Sequence, residues 1–132
     1  MLPPRVPGRH RSYRLRADVT EDDARCVVAL AEDGDEVGMA AAGVARDLDA
    51  PTGWELYSIN VQDMDRGSGA ADALLVAVLG KRDTTLWVLS GNGRAQSFYR
   101  RHGFVADGGQ SRHEGSGAMQ IRMVRQRTAS AT

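Results

Sequence analysis

The sequence has very little cysteine and histidine, which limits the chemistry that it can support. Cys26 is the single cysteine among 132 residues, so an internal disulfide is excluded and a reducing cytoplasm is the expected compartment. The three histidines are spaced unlike the ligands of a zinc site: His10, His102 and His113. We therefore expect no metal.

Long hydrophobic runs and an excess of either charge are also absent. The apolar stretches 38–45 and 73–79 fall well short of the ~20 residues that a membrane-spanning helix needs, and the N-terminus lacks the apolar core of a secretory signal. Seventeen basic residues balance seventeen acidic ones, so no overall field draws the chain to nucleic acid or to an anionic membrane. The length and a hydrophobic content of 42% indicate one globular domain.

Charge is uneven at the N-terminus. Residues 1–16 contain five arginines and no acidic residue. They read as an exposed basic leader, for which a nucleic-acid-binding arm and a solvated terminus are the two interpretations. We favour the solvated terminus and expect no nucleic-acid partner.

The pattern of a β-hairpin follows this leader. Two apolar runs, 26–31 and 36–44, flank the pair Asp33-Gly34, and glycine accepts the positive φ that tight hairpin turns require. Thr20 and the acidic residues after it offer the competing interpretation of a helix over 20–31. We predict the hairpin.

Strands and helices alternate in the rest of the chain. Aromatic and branched residues favour strands, and apolar residues at helical spacing favour helices. The predicted elements are 54–61, 70–80, 86–89, 94–102, 104–105 and 119–124, of which 70–80 and 94–102 are the helices. A loop rich in glycine and serine joins the last two strands. This order predicts an α/β (α+β) domain with a mixed sheet and helices on its faces.

The turn between the strand at 54–61 and the helix at 70–80 is the most informative segment. Gly67 and Gly69 have no Cβ, so an anion can approach the backbone closely there. The first N–H groups of the following helix have no partners within it, and the helix dipole places positive potential at them. Arg66 adds a charged donor that suits phosphate. The segment predicts an anion site, although it matches neither a dinucleotide fingerprint nor a Walker loop.

Two motifs together resemble the GNAT superfamily of acetyl-CoA-dependent N-acetyltransferases. Arg66-x-x-Gly69-x-Ala71 is similar to the phosphate loop of that family, and Asn92-x-x-Ala95-x-x-Phe98-Tyr99-x-x-x-Gly103-Phe104 is similar to its Asn-capped, tyrosine-bearing helix. The resemblance covers residues 24–125, which we take as the domain, with 126–132 as a C-terminal tail. It implies a mostly antiparallel central sheet, a V-shaped splay between two parallel strands, and helices on both faces.

The resemblance implies roles for the residues at matching positions. The backbone N–H groups of the turn are expected to bind the diphosphate of coenzyme A: Arg66, Gly67, Ser68, Gly69, Ala70 and Ala71. The main chain of Ile59, Asn60 and Val61 is expected to pair with the pantetheine arm, and an N–H near Val61 to polarise the thioester carbonyl. Asn92 is expected to hydrogen-bond the pantetheine.

Tyr99 and Glu55 are the candidate catalytic residues. The resemblance implies that the Tyr99 phenol donates a proton to the departing thiolate. Glu55 is the candidate general base for the amine, because it lies six residues before Val61, where the histone-acetylating branch of the family has its glutamate. Each has a structural alternative: Tyr99 as a core aromatic and Glu55 as an inert surface residue.

The implied function is N-acetyl transfer from acetyl-CoA to a primary amine of a small molecule or protein by direct attack. Only about 24 residues precede the hairpin, where the family places a strand and two helices, so residues 1–23 are a basic leader or the remnant of an N-terminal helical region. The alternative is a non-catalytic acetyl-CoA-binding or interaction module that has lost its acceptor site. A sheet without its first strand exposes an edge, so we expect a homodimer.

Overall fold

A mixed sheet and two α-helices make up the fold of the described residues. The computed structural model describes residues 10–21 and 24–126. In chain order the elements are β1 (Tyr13–Glu21), β2 (Ala24–Ala31), β3 (Glu36–Val44), β4 (Trp54–Val61), a 3₁₀ turn (Asp63–Asp65), α1 (Ala70–Leu79), β5 (Thr84–Leu89), α2 (Gly93–Arg101), β6 (Val105–Arg112) and β7 (Met119–Arg125). The seven strands follow the order β1-β2-β3-β4-β5-β7-β6 in the sheet. The predicted mixed α/β fold is confirmed.

The elements belong to two compact units. The first unit comprises residues up to Ala41 together with Ser58–Val78, and the second comprises Ala42–Tyr57 together with the residues from Leu79 onward. Strands β3 and β4 and helix α1 each contribute residues to both units. No helix of residues 10–21 and 24–126 is long and apolar enough to cross a membrane.

Strand β1 begins inside the stretch that the sequence analysis assigned to a basic leader. It pairs antiparallel with β2, with Tyr13 opposite Ala31 and Asp18 opposite Cys26. The expectation of a leader or a helical remnant is therefore wrong for residues 13–21. Apolar residues at 13, 15, 17 and 19 alternate with polar ones, which is the period of a strand, and the interpretation as a leader overlooked this signal. Residues 1–9 and 22–23 of that prediction lie outside the described residues.

The hairpin of β2 and β3 confirms the prediction for that part of the chain. Gly34 has a φ of +87°, its N–H donates to the carbonyl of Ala31 at 2.9 Å, and the N–H of Ala31 donates to Asp35 at 2.8 Å. Val27, Ala29 and Ala31 are buried at alternate positions, which is the period of a strand. The competing helix over 20–31 is wrong.

Close packing around α1 fixes the end of β4. The helix buries one apolar face and ends before Gly80, which has a φ of +57°. A Cβ on Gly38 of β3 would lie 2.5 Å from the carbonyl oxygen of Asn60 and 3.1 Å from Cδ1 of Leu74. Since real Cβ atoms do not approach a carbonyl oxygen that closely, β3 needs glycine at this position. The buried α1 residues are Ala70, Leu74, Leu75, Val78 and Leu79.

The second unit is built around β5 and β7. These strands pair antiparallel from Thr84↔Arg125 to Leu89↔Gln120, while β4 pairs parallel with β5 at Trp54↔Thr84 and Glu55↔Thr85. Strand β6 runs to Arg112, so the expectation of a loop directly after a short strand at 104–105 is wrong. This strand is held by its backbone pairing with β7, and its exposed, polar, glycine-containing sequence conceals it.

Candidate active site

The turn after β4 has its shape fixed by one glycine. Arg66 has φ −62° and ψ 142°, Gly67 has φ +78°, and the N–H of Ser68 donates to the carbonyl of Asp65 at 3.2 Å. These values describe a type II turn from Asp65 to Ser68, in which the third residue needs a positive φ. Gly67 supplies it, because residues with a Cβ are disfavoured in that region.

A second glycine leads from this turn into α1. Gly69 has φ +88°, and its carbonyl accepts the N–H of Ala73 at 3.0 Å, which begins the helical hydrogen bonding. The Ser68 hydroxyl accepts the N–H of Ala70 at 3.2 Å. Residues 62–69 are called the phosphate loop below.

Three N–H groups of this region are left available. No described residue accepts a hydrogen bond from the backbone N–H of Gly67, Gly69 or Ala71. Among the described residues, a Cβ on Gly67 would have the His10 Nε2 atom alone within 4 Å, at 3.9 Å, and a Cβ on Gly69 would have no neighbour. The backbone is therefore open to a ligand beside the positive end of a helix dipole, which is the arrangement that binds phosphates.

The charged residues of the phosphate loop differ in how they are held. Arg66 and Asp63 form a 3.0 Å ion pair whose side chains are 53% and 89% exposed. Such a surface pair contributes little, so Arg66 can exchange it for an anionic ligand. Asp65 is 1% exposed, and Arg11 holds its carboxylate through both oxygens. Sequence reasoning missed Arg11, because nothing distinguishes it from the other arginines of the N-terminal stretch.

The predicted pantetheine-binding residues lie directly before the phosphate loop. Ile59, Asn60 and Val61 form the last part of β4, in the same unit as the loop. The N–H of Gln62 donates to the carbonyl of Val37 at 2.8 Å, which fixes the chain where it leaves β4. The first unit thus brings together two of the predicted cofactor-binding segments.

The second unit contains Asn92 at the start of α2. Its side-chain oxygen accepts the N–H of Ala95 at 3.1 Å, so the predicted helix cap is confirmed. The buried Gln96 amide donates to the carbonyls of Leu89 and Ser90 at 3.1 and 3.0 Å, which ties the helix to the end of β5. Gln96 was missed, since its partners are backbone atoms that no sequence motif marks.

Tyr99 lies on the aromatic side of α2. Its ring packs edge-on against Phe98 and Phe104, with centroids 5.4 and 5.9 Å away. Burial raises the pKa of the Tyr99 phenol above its ordinary value of 10.0. The phenol therefore keeps its proton at neutral pH and can act as an acid. These contacts also suit the alternative of a core aromatic.

Glu55 is buried in β4 and held by Arg46. The Glu55 side chain is 2% exposed, so the expected surface location of the structural alternative is wrong. Its carboxylate accepts the backbone N–H of Arg46 at 2.9 Å and the guanidinium at 2.8 Å. The Arg46 guanidinium also stacks over Tyr57, 4.3 Å from the ring centroid. If Glu55 is the general base, it has to accept the amine proton while both of its oxygens are hydrogen-bonded to Arg46.

The described residues contain no group of three or more His, Cys, Asp or Glu side chains placed to hold a metal ion. His113 and Glu114 lie in the exposed connection between β6 and β7, where the His113 Nδ1 accepts the N–H of Ser116 at 3.2 Å.

Comparisons with known proteins bear on both units. The profile of the acetyltransferase (GNAT) domain matches residues 22–106. Three solved structures illustrate the likeness in fold. Nourseothricin acetyltransferase has a TM-score of 0.65 at 24% identity, over 79% of this chain and 65% of that one. A Corynebacterium glutamicum ATCC 13032 structure, titled histone acetyltransferase HPA2 and related acetyltransferase, has 0.62 at 25%, over 79% and 65%. Arabidopsis thaliana NAA60 in complex with acetyl-CoA has 0.62 at 18%, over 80% and 77%.

This chain spans slightly less than two thirds of the nourseothricin and Corynebacterium structures. No curated protein matches the sequence.

Proposed function

The chain belongs to the GNAT acetyltransferase family, and from that premise we propose that it transfers the acetyl group of acetyl-CoA to a primary amine. The observation that carries the proposal is the phosphate loop. Two glycines with left-handed φ leave three backbone N–H groups without a described acceptor at the start of α1. A diphosphate is the ligand that such a cradle suits, and coenzyme A contains one.

The residues of the chain then have defined tasks when acetyl-CoA supplies the activated acetyl group. The N–H groups of Gly67, Gly69 and Ala71 hold the diphosphate, and Arg66 exchanges its ion pair with Asp63 for the ligand. The main chain of Ile59–Val61 orients the pantetheine arm, and Asn92 contributes its side-chain amide to that arm. A backbone N–H near Val61 polarises the thioester carbonyl.

Acetyl transfer moves one proton from the amine to the sulfur. The amine nitrogen bonds to the carbonyl carbon, the carbon–sulfur bond breaks, and Tyr99 protonates the departing thiolate. The amine proton goes to a base, for which Glu55 is the candidate, and solvent returns a proton to Tyr99. The raised pKa of Tyr99 keeps the acid form in place throughout the neutral range.

An amine acceptor is supported by the names of two similar proteins of known structure. They are a histone acetyltransferase and a spermidine N-acetyltransferase chimera, whose acceptors are a protein and a small polyamine. Both kinds remain candidates for this chain.

A specific observation favours a second function. Arg46 occupies both oxygens of Glu55, as in a site where the carboxylate is structural. The second candidate is therefore a non-catalytic module that binds acetyl-CoA without turning it over.

Release of free thiol from acetyl-CoA, measured with a panel of small amines, amino-terminal peptides and lysine peptides, separates the two functions. Amine-dependent release identifies the transferase, while coenzyme A binding without release for any amine identifies the module. Tyr99→Phe should lower turnover by about 10²-fold or more with coenzyme A affinity unchanged. Tyr13→Phe, which removes a phenol hydroxyl from β1, is the matched control and should keep wild-type turnover.

We further propose a cytoplasmic homodimer. The single cysteine supports the compartment. Strand β1 lies beside β2, at the edge where the sequence analysis expected no strand. Strands β1 and β6 are the two end strands of the sheet, and their unpaired edges favour pairing with a second copy. Light scattering coupled to size exclusion measures the mass, and a monomer at all concentrations contradicts the proposal.

A further inference from the structure

A bidentate ion pair joins the N-terminal segment to the phosphate loop. Arg11 donates from Nε to Asp65 Oδ1 at 3.0 Å and from Nη2 to Oδ2 at 2.9 Å. Its Nη1 donates to Asp35 Oδ2 at 2.7 Å. Two parallel N–H···O bonds to a carboxylate are charge-assisted, so they are stronger than neutral hydrogen bonds and they fix the geometry of both groups. The contact spans 54 positions of sequence, so it belongs to the tertiary structure and not to the local turn.

This pair holds the first residue of the type II turn. The Asp65 carbonyl accepts the N–H of Ser68, and Gly67 lies between them with its N–H available. Fixing the Asp65 side chain therefore fixes the residue from which the turn is built. The direction of the Gly67 N–H depends on the turn keeping that geometry.

The ion pair also determines the net charge of the buried part of the phosphate loop. A buried carboxylate at position 65 repels an anionic ligand at the same loop unless a cation compensates it. The Asp65 and Asp35 carboxylates raise the pKa of Arg11, so the guanidinium keeps its charge at every usable pH. Asp65 is thus compensated by a residue of the segment that precedes β1.

We propose that Arg11 is a positioning residue for coenzyme A binding: it holds Asp65 and cancels its charge, so that the phosphate loop can accept a diphosphate. The inference rests on the proposed function, since it concerns the same cofactor. Arg11 itself is not a ligand of the diphosphate in this account.

Calorimetric titration with coenzyme A tests the proposal. Arg11→Met should weaken binding at least about tenfold, because it removes the bidentate guanidinium that holds the buried Asp65 carboxylate and offsets its charge. The double variant Arg11→Met/Asp65→Asn removes both charges and should regain most of the affinity. Arg16→Met is the matched control. It breaks an exposed ion pair between Arg16 and Asp18, which both lie in β1, and it should leave the coenzyme A affinity unchanged.

The affinity for S-acetylpantetheine, which lacks the diphosphate, distinguishes a role in diphosphate binding from a role in fold stability. Its affinity should be the same for wild type and Arg11→Met, whereas a general loosening of the fold weakens both ligands alike. Unchanged coenzyme A affinity in Arg11→Met, or equal weakening of both ligands, overturns the inference. Failure of the wild type to bind coenzyme A overturns the proposed function instead.

Arg11→Lys tests the same inference if the Arg11→Met variant does not fold. Lysine retains the charge but not the two-pronged contact, so coenzyme A affinity should fall by less than in Arg11→Met but by at least about threefold. Wild-type affinity in Arg11→Lys contradicts the positioning role.

Discussion

Replacing Gly67 with alanine separates the conformational role of this glycine from its role in binding. Gly67 has φ +78°, and of the atoms in residues 10–21 and 24–126 a Cβ there would meet only His10 Nε2, at 3.9 Å. Steric clash is therefore not the issue. An alanine held at that φ lowers the free energy of unfolding by about 1–2 kcal/mol.

The variant can avoid this strain by turning the peptide between residues 66 and 67. The turn then becomes type I, which has negative φ at both central residues. That rotation points the N–H of residue 67 to the opposite face of the turn, away from the ligand. Losing one hydrogen bond to a charged group costs about 1.5–3 kcal/mol, so coenzyme A affinity should fall by about 10- to 100-fold.

Gly34→Ala is the matched control. Gly34 has φ +87°, and a Cβ there would have nothing within 4 Å, but it lies in the β2–β3 turn. Urea unfolding should give a similar loss of stability for both variants, and calorimetry should give weaker coenzyme A binding for Gly67→Ala alone. Wild-type affinity in Gly67→Ala, or equal weakening in both variants, would refute the reasoning.

Three further changes test the second unit. Asn92→Ala removes the hydrogen bond to the N–H of Ala95 and should lower the free energy of unfolding by about 1 kcal/mol in urea titration, whereas Asn92→Asp should retain the cap. Arg46→Met leaves the carboxylate of Glu55 with a backbone N–H as its one donor among the described residues. We expect a stability loss of about 1–2 kcal/mol, discounted because Arg46 is 63% exposed. Burial raises the pKa of the Tyr99 phenol above its ordinary value of 10.0, so the folded protein loses this proton only above pH 10. Turnover that depends on this acid should fall in that range. The free energy of unfolding should also fall there, because the phenol ionises at a lower pH in the unfolded chain. The stability part of this alkaline loss should be absent in Tyr99→Phe.

The phosphate loop could be predicted from the sequence because its determinants are local. Gly67 and Gly69 stand where the backbone needs a positive φ, and the helix that follows shows its apolar spacing over ten residues. Asn92 was found for the same reason, since it caps a helix three residues from its hydrogen-bond partner.

The parts that escaped prediction depend on contacts between distant residues or on the backbone alone. Strand β6 is an end strand with largely exposed side chains, and it lacks the apolar alternation that reveals a half-buried strand. Strand β1, the other end strand, does show this alternation over residues 13–19, but the arginines of the N-terminal stretch favoured the interpretation as a leader. The partners of Asp65 and Glu55 are Arg11 and Arg46, and nothing in the sequence distinguishes these two arginines from the rest. An ion pair between residues that are distant in sequence leaves no local pattern from which it can be predicted.

Amide NMR during a coenzyme A titration tests the central claim most directly. The N–H resonances of Gly67, Gly69 and Ala71 should show the largest shifts at saturation, and S-acetylpantetheine should leave them nearly unmoved. The N–H of Gly109, already bonded to Asp107 at 2.9 Å, serves as the reference and should not respond to either ligand. If those three resonances stay in place while coenzyme A saturates the protein, the diphosphate is held elsewhere and the account is wrong.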